Sequence, residues 1–158
     1  MDMYKRILVA VDGSETARSA FDAALGLAQV MHATLRPYYV IDNALIYFDA
    51  PGYDPSLLRN QMIEQGDALA SELNAAMREK QVDGEMLTGE VTSSGDVPGL
   101  VLNAAREFDA DLIVMGTRGR RGVQRLILGS VAERCVRQST VPVLLIPAAA
   151  VTAGADTQ

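Results

Sequence analysis

The chain has 158 residues, 49% of them apolar and 22% charged, with a formal net charge of −6, which predicts one globular domain and excludes a largely disordered chain. One cysteine and one histidine exclude a disulfide scaffold and argue against a classical metal cluster, and the acidic balance argues against direct nucleic-acid binding. Because no unbroken apolar run approaches about 18 residues and the N-terminal residues lack a signal-peptide pattern, we expect a cytoplasmic protein without membrane insertion.

The first half of the chain alternates apolar runs, typical of buried strands, with segments of helical periodicity. A first strand is predicted over residues 7–11, and Ser14 is a candidate N-cap of the helix that follows. A second strand is predicted over residues 35–41, where Pro37 suggests a bulge or local irregularity because proline cannot donate to a ladder. A long loop then precedes a long helix over about residues 56–80.

The second half repeats the alternation with three further apolar runs. These predict strands over residues 85–91, 112–115 and 142–146. Asp96 is placed to cap the helix between the third and fourth strands, and Gly129 and Ser130 open a helix that ends near Gln138. The last residues have no periodicity, so we predict a domain over residues 1–147 and a mobile tail over residues 148–158.

This order of elements predicts the α/β class: a single-domain, open five-stranded parallel sheet with strand order 3-2-1-4-5 and helices on both faces. Ligands of such sheets bind beyond the carboxyl ends of the strands, where the strand order reverses. That point lies between the first and fourth strands. The loops that meet there begin at Asp12 and at Gly116.

Positive charge collects near the second of these loops. Residues 118–137 hold six arginines and one glutamate in an otherwise acidic chain. A short basic segment of this kind suits a small anion, although the arginines could equally be solvent-exposed side chains of a loop and a helix.

The same loop carries a spaced glycine motif, in which Gly116, Gly119, Gly129 and Ser130 follow the pattern G-2x-G-9x-G-[S/T]. Glycines permit close backbone approach, and the amides at a helix start suit phosphate oxygens. With this motif, the opening ILVAVDGS, and the segments VID, ADLIVMG and VPVLLIP, the chain resembles the ATP-binding type of the universal stress protein family over about residues 4–147.

The resemblance implies an adenine-nucleotide alpha-hydrolase-like fold that holds ATP, with Mg²⁺ or Mn²⁺ at the phosphates. It assigns Asp12 to the ribose hydroxyls and Gly116 to the vicinity of the ribose. Ala10 borders the adenine and Val40 meets it through its backbone, and Met115 belongs to the same site. The phosphate donors that it implies are Gly119, Gly129, Ser130 and Val131.

Several of these residues also have a structural interpretation. Asp12 and Ser130 could each serve only as a helix cap. His32 is expected at the surface or at a helix C-terminus, Cys135 in the core, and the adjacent tyrosines 38 and 39 in packing contacts. The roles of four arginines stay open between phosphate contact and solvent exposure: Arg118, Arg120, Arg121 and Arg125.

Other functional classes lack their defining residues. Neither Lys5 nor Lys80 lies in a P-loop, and the first turn reads DGSETA where a dinucleotide-binding domain has GxGxxG. The fifth strand lacks the nearby lysine of a receiver domain, and a serine hydrolase would need a base beside its serine. Because no residue stands out as a water-positioning group, we expect a regulatory nucleotide with at most weak ATP hydrolysis. The alternatives are a slow ATPase and a partner-interaction module with a purely structural nucleotide.

The fifth strand also predicts assembly, because an apolar strand at a sheet edge invites pairing. The resemblance implies a homodimer through this strand, with higher oligomers as an extension. The predicted interface comprises Val141, Val143, Leu144, Leu145 and Ile146. The protein partner is unknown; a regulated transporter or enzyme would fit.

Overall fold

A computed structural model describes residues 3–42, 54–91, 96–118 and 128–148 of the chain. The five strands are β1 (Arg6–Val11), β2 (Thr34–Asp42), β3 (Leu87–Val91), β4 (Leu112–Gly116) and β5 (Val143–Ile146). The four helices of the described residues are α1 (Glu15–Met31), α2 (Pro55–Glu79), α3 (Val97–Glu107) and α4 (Ser130–Gln138). All strand pairs are parallel in the order β3-β2-β1-β4-β5, which confirms the predicted class and topology.

Two apolar layers cover the sheet because alternate strand residues point to opposite faces. Ile7 and Val9 of β1 pack with the buried residues of α1 and α2, whereas Leu8 packs with those of α3 and α4. Cys135 lies in the second layer and is fully buried, as expected. The helices therefore flank the sheet in pairs and leave its carboxyl edge open between them.

The expected irregularity at Pro37 is wrong. Pro37 pairs with Val9 in an unbroken register between β1 and β2. The Thr34 N–H donates to the carbonyl of Lys5, just before β1, and the Leu35 N–H donates to the carbonyl of Asp83, before β3. The backbone N–H groups at odd positions of β2 therefore point toward β3. Pro37 thus lacks an N–H only on the β3 side, where pairing starts one residue later. This missing donor explains why β3 begins at Leu87 and not at residue 85 as predicted.

Capping residues define the helix ends. The Ser14 hydroxyl accepts the Ala17 N–H at 3.1 Å at the start of α1, and Asp96 accepts the Gly99 N–H at 3.1 Å at the start of α3. His32 ends α1 as an exposed C-cap with a left-handed φ of 54°. These observations confirm the predicted roles of Ser14, Asp96 and His32.

Some predictions fall outside the described residues. Gly119, Arg120, Arg121 and Arg125 are among them, as is the expected tail from residue 149 onward. Within the described ranges, no helix has the length and hydropathy needed to cross a bilayer.

Candidate functional site

A cavity of about 420 Å³ opens at the carboxyl edge of the sheet, between β1 and β4, where the strand order reverses. Its volume lies within the roughly 300–1,000 Å³ typical of small-molecule sites. Eight of the nine residues predicted for nucleotide binding line it, and the ninth, Gly119, is not described. The eight are Ala10, Asp12, Val40, Met115, Gly116, Gly129, Ser130 and Val131.

Asp12 stands at the tip of β1 in this cavity. Its Oδ1 accepts the Ser14 N–H at 2.9 Å, and the chain turns between them at Gly13 with φ of 86°. Since Ser14 caps α1, Asp12 is not the helix cap that the alternative interpretation required. The turn holds the carboxylate at the cavity wall.

Gly116 and Gly129 bring the two ends of the glycine-rich loop together. A Cβ at Gly116 would lie 2.5 Å from Cγ2 of Thr16, so the end of β4 passes close against α1. The Gly129 N–H donates to the Thr117 carbonyl at 2.7 Å, and a Cβ at Gly129 would lie 3.1 Å from the same oxygen. Gly116 therefore allows the close approach of β4 to α1, and Gly129 allows the close approach of the start of α4 to the residue after β4.

The start of α4 faces the cavity without a side-chain cap. Gly129 is the N-cap and has no side chain to donate or accept a capping bond, so Ser130 is the first helical residue and not the cap. Ser130 is exposed and Val131 is partly buried, and both line the cavity. The first-turn amides of a helix and the helix dipole favour an anion at this position.

Another part of the cavity lies against β2, from which Tyr38, Tyr39, Val40 and Asp42 line it. The Tyr39 hydroxyl donates to the Met62 carbonyl of α2 at 3.1 Å, and its ring lies against Gly66. Tyr38 is buried in the other layer, and burial, assisted by Glu107, raises its pKa. Both tyrosines pack in the core, as expected, but they also line the cavity together with Met62.

The sequence analysis did not identify Val97, Pro98 and Arg134, which also line the cavity. Arg134 lies one helical turn after Ser130, and this i,i+4 spacing was a signal that could have found it. Its guanidinium donates from Nη1 to Oδ1 of Asp96 at 2.9 Å. Arg118 also lines the cavity, at the end of the described part of its loop.

A smaller cavity of about 270 Å³ lies near the amino ends of β4 and β5, between α3 and the turn before β5. It is lined by Leu102, Ile113, Ser139 and Val141, among others. None of the eight residues above contributes to it, so the predicted site corresponds to the larger cavity.

Comparison with known proteins gives one consistent result. The sequence model of the universal stress protein family matches residues 3–147. A universal stress protein of Bacillus subtilis (strain 168) is 30% identical over 151 residues, which cover 91% of this chain and 99% of the relative.

Solved structures agree with the sequence comparison. A crystal structure of a universal stress protein family member from Burkholderia pseudomallei is 44% identical, with a TM-score of 0.75, covering 94% of this chain and 99% of that one. A universal stress protein crystallised in complex with cAMP is 25% identical, with a TM-score of 0.60, covering 91% of this chain and 97% of that one.

Proposed function

The chain belongs to the universal stress protein family, and from this premise we propose that it binds ATP as a regulatory stress-response protein. In this proposal, bound nucleotide tunes its conformation, its oligomerisation or its binding to a protein partner. The observation that carries the proposal is the clustering of eight sequence-predicted residues around one cavity of about 420 Å³ at the carboxyl edge of the sheet.

The chemistry of the cavity wall fits an adenine nucleotide from end to end. Ala10, Val40 and Met115 provide an apolar surface for the base, and Asp12 provides a carboxylate for the ribose hydroxyls. Oδ1 of Asp12 accepts the Ser14 N–H, and this bond holds the carboxylate that meets the sugar hydroxyls in this proposal. Gly116, which lines the same cavity, lies by the ribose in this proposal.

The start of α4 is the proposed phosphate end. The N–H groups of the first turn, including that of Val131, and the Ser130 hydroxyl would donate to phosphate oxygens there. Gly119 joins them in the proposal on the motif alone. A bridging Mg²⁺ or Mn²⁺ would be held mainly by phosphate oxygens, since the described residues contain no cluster of three His, Cys, Asp or Glu side chains.

Isothermal titration calorimetry with Mg-ATP tests binding on the wild type and two pairs of variants. Ser130→Ala deletes a proposed phosphate donor, and Asp12→Asn keeps an oxygen for the Ser14 N–H but replaces the second with an amide. Each should weaken ATP binding about tenfold, as expected when a hydrogen bond to a charged group is lost. The matched controls Ser71→Ala and Asp67→Asn change exposed residues of α2 and should bind as the wild type does.

Wild-type protein without measurable affinity at millimolar Mg-ATP would refute the proposed function. Equal affinity in all four variants would refute the residue assignments. Ligand binding restricted to the folded form also predicts stabilisation of about 2.7 kcal/mol at a hundredfold excess over Kd, which a thermal melt detects independently.

Regulation is distinguished from catalysis by phosphate release. We expect weak hydrolysis or none. The proteins recovered in pull-downs from cell extract should therefore differ only slightly between ATP and a non-hydrolysable analogue. Phosphate release at tens per second would favour a true ATPase. A partner that binds equally with and without nucleotide would favour the second candidate, an interaction module whose nucleotide is structural.

We further propose a homodimer through β5. The Pro142 carbonyl accepts the Ile113 N–H of β4, and the Ile146 carbonyl accepts the N–H of Thr117, the residue after β4. Even positions of β5 therefore face β4, and the backbones of Val143 and Leu145 face the open edge. A twofold axis at Leu144 would pair Val143 with the partner's Leu145 in antiparallel register, forming about four backbone hydrogen bonds.

Sedimentation tests the dimer. Leu144→Glu would place two like charges about 5 Å apart at the axis and should produce a monomer of 16.9 kDa. Val136→Glu changes a similarly exposed apolar residue of α4, outside β5, and should leave the dimer intact. Wild-type protein that sediments only at 16.9 kDa at micromolar concentration would refute the proposal.

A further inference from the structure

The entrance of the larger cavity carries a cation that the glycine motif does not include. Arg134 of α4 lines the cavity together with Ser130, which lies one turn earlier on the same side of the helix. Val97 and Pro98 at the start of α3 line the same cavity. Arg134 therefore stands beside the helix start at which the proposed function places the phosphates.

A fixed carboxylate anchors this guanidinium. Asp96 caps α3 by accepting the Gly99 N–H at Oδ1 at 3.1 Å, and the same Oδ1 accepts an N–H from Nη1 of Arg134 at 2.9 Å. The absence of a side chain at Gly99 is needed here, because a Cβ would collide with the Asp96 carboxylate. The helix cap thus holds the acceptor in place, and the acceptor holds Arg134 at the entrance.

The ion pair leaves most of the guanidinium available. Among the described residues, the side chain of Arg134 donates one hydrogen bond, from Nη1 to Asp96, so its remaining N–H groups have no protein acceptor within those residues. Arg134 is 47% exposed, which leaves it accessible to a ligand from the cavity side. A planar guanidinium with several free donors suits phosphate oxygens.

We propose that Arg134, positioned by Asp96, makes this site select nucleotides with two or three phosphates over nucleoside monophosphates. The proposal rests on the proposed function, since it assumes that phosphate lies at the start of α4. The first-turn amides reach the phosphate nearest to them, and Arg134, one turn along the helix axis, reaches a phosphate further along the chain of a di- or triphosphate. A monophosphate has no group at that position.

Calorimetry on Arg134→Ala with ATP and with AMP tests the proposal. Affinity for ATP should fall about tenfold or more, as expected for a lost charge-assisted hydrogen bond, and affinity for AMP should stay within about twofold. Arg137→Ala is the matched control: it removes the same charge from the same helix, at a side chain that pairs with Glu133 at 2.6 Å and is 73% exposed. It should change both affinities by less than about twofold.

The outcomes separate the two levels of argument. Wild-type protein that binds neither nucleotide would refute the proposed function itself. Wild-type binding with an unchanged ratio of ATP to AMP affinity in Arg134→Ala would overturn the role of Arg134 alone. A folding defect is recognised by circular dichroism and a thermal melt, and Arg134→Lys, which keeps the charge, should then recover part of the preference for ATP; equal ATP-to-AMP ratios in Arg134→Lys and Arg134→Ala would also overturn it.

Discussion

Two helical glycines should respond in opposite directions to the same substitution. Gly26 of α1 is exposed, and a Cβ built there meets nothing within 4 Å. Gly66 of α2 is buried, and a Cβ there would lie 2.9 Å from Cε1 and 3.1 Å from Cδ1 of Tyr39. Alanine at either position removes the entropic cost of a helical glycine, but only at Gly66 does it collide with a neighbour.

The magnitudes follow from the surroundings. Gly26→Ala should stabilise the fold by about 0.5–1 kcal/mol through helix propensity. At Gly66 the same gain opposes an overpacking cost of about 1–3 kcal/mol, because the Tyr39 ring is 1% exposed and tethered through its hydroxyl to Met62. The net expectation for Gly66→Ala is a loss of about 1 kcal/mol.

Thermal unfolding followed by circular dichroism measures the difference. At this chain length about 1 kcal/mol corresponds to roughly 2–4 °C in Tm, so Gly26→Ala should melt above the wild type and Gly66→Ala below it. If Gly66→Ala melts as high as Gly26→Ala, the Tyr39 ring is not confined as described, and the reasoning about this contact is wrong.

Three other perturbations have defined outcomes. Gly84→Ala should lower the free energy of unfolding by about 3 kcal/mol, read from the urea midpoint, because a Cβ would overlap the Leu35 carbonyl at a φ of 144°; a wild-type midpoint would contradict this. Burial raises the pKa of Cys135 to about 11. The contribution of the protonated thiol to the free energy of unfolding is therefore complete below the unfolded pKa of about 8.5, and it is lost as the pH rises toward 11. Cys135→Ala should reduce the fall in the free energy of unfolding over that pH range, and a fall as steep as that of the wild type would contradict this. Arg18→Ala breaks an exposed pair with Glu72 and should cost less than about 1 kcal/mol, a difference that 1 M salt removes; a larger, salt-independent loss in urea unfolding would show that the pair is not simply a surface contact.

Much of the site could be predicted because its determinants are local in sequence. Apolar runs identify buried strands, and the switch point of a parallel sheet then brings the loops after β1 and β4 together. The residues of those loops, such as Asp12, Gly116 and Ser130, reach the cavity simply by following a strand or starting a helix. Their binding roles remain predictions until the calorimetry above is done.

Contacts between helices and strands were beyond such reasoning. The bond from Arg134 to Asp96 joins residues 38 positions apart, and it depends on how α3 and α4 pack side by side. The contact of Tyr39 with Gly66 depends likewise on where α2 lies across β2. Periodicity predicts which face of a helix is buried but leaves its position and rotation on the sheet open.

The sequence by itself determined the order of strands and helices, their inward faces and the spacing of the glycine motif, because each depends on residues that are close along the chain. Tertiary structure decided how Pro37 is accommodated, since only the start of β3 at Leu87 makes its missing N–H harmless. It also decided that Gly129, and not Ser130, caps α4, because the Gly129 N–H is drawn to the Thr117 carbonyl as the loop returns. Hydrogen bonds between distant segments select one of several local conformations that the sequence alone permits.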